Sequence, residues 1–337
     1  MRNSQRDIVQ VLVREGFQYD KISCETFSVR MGSNQSSSDF ERPSDKHSAT
    51  LYYFSGRGLA DQIRWMLAAT NVDFCQKVVS SREKFLEMAG SQLPFGQLPL
   101  LQIDNMDIVQ SQAAVRYLAR RAHIQGGSAQ EALKCDMIAE AVRDLLSLLT
   151  SAPFRKFGGP SSSGGVINTE EWAAHLKLLK EKWAFTGSRF EAIIKHNLNE
   201  LFPSTPKRPS EAVAKLARGE LEVHMVGSSL TYADVLVAHA ATWIVEECGS
   251  EAVQDMPLLV TLQNQVISLP GVKKFIKSVN YFPLGDRAFV EQVRRFCRCC
   301  GCIFAYPNCF LFLMPHCCCI KFRSTLFWAG LHKVESW

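Results

Sequence analysis

Apolar residues follow two rhythms along this chain, and the change from one to the other divides it. From Ala49 the run ATLYYF is dense in strand-forming residues. LADQIRWMLAATN then puts Ile63, Met66, Leu67 and Thr70 at the spacing of one helical face, and DFCQKVV returns to strand. SREKFLEMAG predicts a short helix and SQLPFGQLP a loop. LPLLQI and DIVQ predict two strands joined by an Asn-containing hairpin turn, followed by the helix SQAAVRYLARRA. Strand, helix, strand, helix, two strands and a helix make a small α/β unit.

After HIQGG the rhythm is helical throughout. SAQEALKCDMIAEAVRDLLSLLTS opens with Ser128 and Glu131 at the spacing of a capping box and sets Leu133, Met137, Ala141, Leu145 and Leu148 along one side. EEWAAHLKLLKEKWAFTGSRFEAIIKH predicts a second long helix. TYADVLVAHAATWIVEEC begins with a further box, Thr231 and Asp234, and PLLVTLQNQVISL and GVKKFIKSV complete the set. Two long polar segments, RKFGGPSSSGGVINT and NLNELFPSTPKRPSEAVAKLARGELE, read as solvated loops.

The ends differ from this body. Residues 1–48 contain one short apolar-periodic piece, RDIVQVLVREGF, and then a serine-rich polar stretch that reads as a disordered extension. MGSNQS at Met31 would be a myristoylation signal only if translation began there. Residues 297–337 hold eight of the twelve cysteines. Their apolar run is long enough to span a bilayer, but Pro307, Asn308, Pro315 and His316 make it a poor spanning helix. Its cysteine spacings match no zinc pattern, so no metal is expected. An artefact of splicing or gene prediction is the preferred reading of this tail, with membrane contact or palmitoylation next.

Charge changes the picture once it is apportioned. The formal +5 of the 337 residues comes wholly from the segment after Val293, which carries six basic residues against Glu335. The body is near neutral and lacks the basic footprint that nucleic-acid binding needs. Scattered cysteines and the absence of a secretory signal point to the cytoplasm.

The motifs LYYFSGRG with IRWMLAA, FGQLPLLQID, IVQSQAAVRYLA, DMIAEAVRDL, LTYADVLV and PLLVTLQNQVISLPGVKKFI, in this order, resemble the cytosolic glutathione transferases, closest to the tyrosine-type alpha class. The resemblance covers residues 49–296. It implies a thioredoxin-like α/β N-terminal domain over 49–124 and an all-α C-terminal domain over 125–296, the glutathione transferase fold. It also implies a homodimer that uses glutathione as co-substrate, with no other cofactor.

Ligands of such sheets settle beyond the carboxyl ends of the strands. Tyr53 lies at such an end, beside Gly56 and Gly58, while adjacent Tyr52 points to the opposite face and is assigned to packing. The resemblance implies that Tyr53 donates its hydroxyl hydrogen bond to the glutathione sulfur. A thiol with a pKa of about 8.5 needs roughly 2.7 kcal/mol of preferential stabilisation to fall two units, more than one net hydrogen bond supplies. Two departures bear on this. Alpha-class relatives carry a second arginine after G-R-G where this chain has Leu59, so the start of a helix near Leu59 is the candidate substitute. The basic residue expected before GQLP for the glycine carboxylate is missing between Met88 and Leu93, leaving Arg82 and Lys84 as the nearest cations.

The same resemblance implies that Gln97, Leu98 and a cis Pro99 pair with the cysteinyl part of glutathione, and that Gln110 and a helix-capping Ser111 hold its γ-glutamyl carboxylate. Asp144 would reach the glutathione of the partner subunit. Arg57 is expected to be structural, as are Thr231 and Asp234. Phe54, Leu59, Ile63, Phe289, Val290 and Val293 are the candidate wall of a pocket for small hydrophobic electrophiles. The expected activity is conjugation of the glutathione thiolate to such electrophiles. The alternatives are a non-catalytic ligand-binding protein on the same fold, or glutathione-dependent isomerase or peroxidase activity.

Overall fold

The computed structural model describes residues 48–157, 169–201 and 222–297, with backbone alone for the last four. Expectations for the N-terminal extension and for the tail after Cys297 lie outside the described residues, as do the middles of both long loops.

Four strands form one mixed sheet in the order β2-β1-β3-β4: β1 Ala49–Tyr53, β2 Phe74–Val78, β3 Leu100–Ile103 and β4 Met106–Val109. β1 pairs parallel with β2 and antiparallel with β3, placing Tyr53 opposite Val78 and Tyr52 opposite Leu100. The parallel pair needs a crossover, which is helix α1, Asp61–Ala69. Its Ile63, Met66 and Leu67 are fully buried, as the apolar spacing predicts. The β3–β4 hairpin turns at Asp104 and Asn105, with φ of 51° and 61°. Two consecutive positive φ values define the type I′ turn, which matches strand twist and tolerates Asp and Asn. Helices α2, Arg82–Ser91, and α3, Ser111–Arg121, complete the unit, and the Ser81 side chain caps α2 by accepting from Lys84 N at 3.2 Å.

Among the described residues six α-helices follow: α4 Ala129–Phe157, α5 Thr169–Leu201, α6 Tyr232–Cys248, α7 Pro257–Ser268, α8 Pro270–Ile276 and α9 Arg287–Cys297. α6 is buried over almost its whole length, the signature of a central helix. It packs against α4, α5 and α7 of its own layer and against α1 of the sheet unit. Asp234 anchors its start: the buried carboxylate accepts from Thr231 N at 2.7 Å and Met225 N at 2.6 Å. These bonds satisfy helix-entry donors that would otherwise be orphaned, so Thr231 and Asp234 are folding elements.

Three details depart from the expectation. The helices α4 and α5 run on into the predicted loops, to Phe157 and Leu201. At the start of α4, Ser128 Oγ accepts from Glu131 N at 3.1 Å, but the Glu131 carboxylate returns to Gly127 N at 2.6 Å, one residue early. The buried stripe of α4 is Cys135, Ile138, Ala139, Val142, Leu145, Leu146 and Leu149, whereas Leu133 and Met137 are 61% and 65% exposed. This helix carries apolar residues on two faces, and only one meets the core of the chain. Among the described residues no helix is long and apolar enough to cross a membrane, and no group of three or more His, Cys, Asp or Glu is placed to hold a metal ion.

Candidate functional site

β1 ends at Tyr53, and the chain then turns sharply into a single 3₁₀ turn, Gly58–Ala60, before α1 begins. Gly58 has φ of 45°, and a Cβ built on it would overlap the Tyr53 hydroxyl. Glycine is thus required twice at this position, for the backbone angle and for the space. The approach brings Leu59 N within 3.1 Å of Tyr53 Oη, to which it donates. The helix α1 itself begins two residues after Leu59, at Asp61, and the Leu59 N–H is already spent on the tyrosine oxygen. Tyr53 is 7% exposed and Tyr52 5%. Burial raises the Tyr53 pKa, the Leu59 N–H and the Arg64 charge oppose that rise, and Asp61 adds to it. The phenol is therefore protonated at neutral pH, with one lone pair engaged and its proton available to an acceptor.

Two buried arginines, Arg57 and Arg64, flank this turn. Arg57 is buried: its Nε donates to Phe282 O at 2.6 Å, its guanidinium pairs with Glu246, and it lies over the rings of Tyr281 and Trp243 at 4.9 and 5.5 Å. Tyr281 Oη donates to the other Glu246 oxygen at 2.5 Å. Such a site uses the planar, forked head of arginine and fixes the β1–α1 turn to the segment before α9. Arg57 is structural in this fold. Arg64, fully buried on α1, sits 5.9 Å from the Tyr53 ring centroid and donates to Arg57 O, Asp61 and Gln76. Asp61 in turn accepts from His239 Nε2 on α6 at 3.1 Å.

Of the residues expected around glutathione, the Leu98–Pro99 peptide is cis, and Leu98 is buried just before β3. Gln110 Nε2 donates to Gln97 Oε1 at 3.3 Å, so these two stand together. Gln110 itself, not Ser111, occupies the N-cap position of α3, and its side chain makes no capping bond. Its φ of 68° is rare for a residue with a side chain, and such outliers cluster at functional sites. Ser111 is the first helical residue and is buried. Asp144 is exposed on α4. Lys84 is paired with Glu87 at 3.0 Å.

A cavity of about 480 Å³ opens beside the turn, lined by Ser55, Gly56, Phe282, Phe289, Asp286 and Gln292 among others. Tyr53 is not in its wall, although Ser55 follows it by two residues. Of the six residues expected to wall the electrophile pocket, Phe289 alone lines this cavity. Ile63, Val290 and Val293 are buried in packing, Phe54 is nearly so, and Leu59 is half-buried. The Phe289 ring presses on Gly56 and lies 5.8 Å from that of Phe154 on α4.

Gln62, Gln112, Phe154 and Phe282 were not singled out from the sequence. A glutamine beside Ile63 on the buried side of α1 was a readable signal, since a buried amide must find partners. Phe154 and Phe282 gave none, because apolar residues carry no mark of what they will face.

Comparison with known proteins agrees with this architecture. The pattern described as "Glutathione S-transferase, N-terminal domain" matches residues 49–120, and "Glutathione S-transferase, C-terminal domain" matches residues 190–279. Mouse glutathione S-transferase A4 is 30% identical over 246 residues, spanning 72% of this chain and 95% of its own length. Human glutathione S-transferase A3 is 30% identical over 250 residues, 74% of this chain and 97% of its own. The solved structure of prostaglandin synthase D of Nilaparvata lugens shares the fold, with a TM-score of 0.50 at 22% identity, covering 68% of this chain and 98% of its own. With a sheet unit and a helical layer joined in the order that these relatives share, the chain belongs to the glutathione S-transferase family.

Proposed function

We propose that the protein binds glutathione between the cis-proline loop and the start of α3 and adds its thiolate to small hydrophobic electrophiles. The observation that carries this reading is the Leu59 N–H on the Tyr53 hydroxyl oxygen. With that lone pair engaged and the phenol protonated, the group acts as a donor, and a thiolate is the acceptor that the family's chemistry provides. The thiol proton passes to solvent, Tyr53 donates to the sulfur anion, and the sulfur forms a bond to the electrophilic carbon as the leaving group departs with its electron pair. Leu98 offers backbone to the cysteinyl unit, Gln97 and Gln110 offer amides, and the N–H groups at Ser111 hold the γ-glutamyl carboxylate. The electrophile enters from the cavity beside Phe289.

In this reading the protein is a cytoplasmic homodimer. Phe95, Leu133 and Met137, more than half exposed each, supply the apolar surface that a partner would cover. Asp144 of the partner subunit then completes the glutathione site. A second reading, ligand binding without catalysis, draws on the run from Met88 to Leu93, which holds no basic residue for the glycine carboxylate, and on the Lys84–Glu87 pair, which engages one of the two nearest cations.

Glutathione titration followed by thiolate absorbance, together with turnover of an aryl halide, decides between the two. The first reading expects a thiolate band at neutral pH, which Tyr53→Phe shifts upward by about one pH unit with a roughly tenfold fall in turnover at neutral pH. Binding with neither band nor turnover overturns it in favour of the second.

A further inference from the structure

The Leu59 peptide carries more than its N–H. Its carbonyl accepts from Gln62 Nε2 at 3.3 Å, and Gln62 Oε1 accepts from Gln112 Nε2 at 2.9 Å. Gln62 is buried on α1, and Gln112 is the second residue of α3, directly after Ser111. The amide orientations follow from donor and acceptor logic: a peptide carbonyl can only accept, so the Gln62 nitrogen must face it. Its oxygen is then left for the Gln112 nitrogen. The result is a run of bonds from Gln112 to Gln62 to the Leu59 carbonyl, on the same residue whose N–H donates to Tyr53. The two bonds on the Gln62 amide polarise one another, whereas the Leu59 carbonyl and N–H belong to different peptide groups joined through Cα, so what reaches Tyr53 is the placement of the turn. The run begins beside the start of α3 and ends at the Leu59 turn.

We propose that Gln62 and Gln112 form a positioning strut for the thiol site, holding the Leu59 turn so that its N–H remains on the Tyr53 oxygen while α3 holds the other end of the same substrate. This rests on the reading that Tyr53 faces the glutathione sulfur. Neither glutamine touches the reacting atoms. Their effect reaches the sulfur through Tyr53, where relatives use an arginine side chain that this chain replaces with Leu59.

A coupled set of variants tests the strut. The pKa of bound glutathione is read by thiolate absorbance in the wild type, Gln62→Leu, Gln112→Leu and Tyr53→Phe, and in each glutamine variant combined with Tyr53→Phe. Gln62→Leu is expected to raise the thiol pKa by about half a unit, roughly threefold less thiolate below that pKa. It is expected to lower kcat by a similar factor and leave the KM for glutathione within about twofold. Gln112→Leu, on a less buried residue, shifts the pKa in the same direction by less and carries the test should Gln62→Leu fail to fold. In the Tyr53→Phe background both shifts disappear. Shifts of equal size in both backgrounds overturn the strut, because general loosening of the site does not depend on the phenol. A Tyr53→Phe shift with no shift from either glutamine overturns the strut alone, whereas no shift from Tyr53→Phe overturns the Tyr53 reading and the strut together.

Discussion

The Tyr53 hydroxyl lies where a side chain on Gly58 would begin. Gly58→Ala therefore moves the phenol, since the alternative is a β-carbon in the left-handed region packed into an oxygen atom. Kinetics should show at least about a tenfold loss of kcat. The backbone angle alone costs about 1 kcal/mol of stability in a thermal or denaturant melt. A variant that keeps full turnover at unchanged stability would show that the hydroxyl does not need this position.

Asp61 and His239 join the sheet unit to the helical layer through a buried pair at 3.1 Å. Burial alone would raise the Asp61 pKa, but the His239 bond and the charges of His239, Arg57 and Arg64 bring it down to about 2. An unfolded aspartate titrates near 3.9, so the folded value is the lower one. The stabilisation is accordingly complete above about pH 5 and lost as the pH falls through 4 toward 2, on the order of 2 kcal/mol. Asp61→Asn should destabilise the protein by about 3–5 kcal/mol at neutral pH, because it removes the negative charge beside the buried Arg64 and leaves one of its two donors, Arg64 or His239, facing an amide NH2. It should also flatten the acid limb of stability against pH between 4 and 2. Urea melts across that range, at one protein concentration, read both effects.

How much of this was legible in the sequence depends on whether a feature is local. The β1–α1–β2 crossover follows from the spacing of Ile63, Met66 and Leu67, and the hairpin from Asp104–Asn105, because period and turn chemistry are encoded within a few residues. The sharp turn after Tyr53 was readable from its glycines, and Gly58 does take a φ of 45°. The buried face of α4 was not, since Leu133–Met137 and Cys135–Ile138–Val142 both satisfy a helical period and only the tertiary neighbours choose between them. The Gln62–Gln112 bond was beyond reach for a similar reason: fifty positions separate the two residues, and although the apolar neighbours of Gln62 mark it as buried, nothing local names its partner. The electrophile wall suffered most, because Val290 and Val293 on α9 show that a face is apolar without saying whether it meets ligand or core.

The second apolar face of α4 leads to a test of assembly. Phe95 is 63% exposed, in the loop between α2 and β3, and Met137 is exposed on α4. If a second copy covers them, placing a charge at each should be incompatible with that contact, since an unpaired charge in an apolar interface loses its hydration. Phe95→Asp with Met137→Asp should convert a dimer to monomers at micromolar concentration in sedimentation velocity. Glutathione affinity should fall in the same variant, because in the proposed dimer Asp144 completes the site of the partner subunit. An unchanged sedimentation coefficient would place the interface elsewhere.

Leu59 offers the converse experiment, an attempt to restore what relatives have. Its backbone N–H, already on Tyr53, is retained by any substitution except proline, and its half-buried side chain stands at the position where the alpha-class resemblance implies a second arginine. Leu59→Arg adds a guanidinium there while keeping the existing bond. A positive charge about 5 Å from a thiolate, at an effective dielectric near 20, attracts it by roughly 3 kcal/mol before screening and before opposition from Arg57 and Arg64. A net fall of about one unit in the pKa of bound glutathione is the expected outcome, equal to about 1.4 kcal/mol and tenfold more thiolate well below that pKa. Turnover of an aryl halide should rise most at acidic pH and least above the thiol pKa, where wild type is already ionised. A uniform gain across pH would instead indicate better electrophile binding, and no change would mean that residue 59 points away from the sulfur.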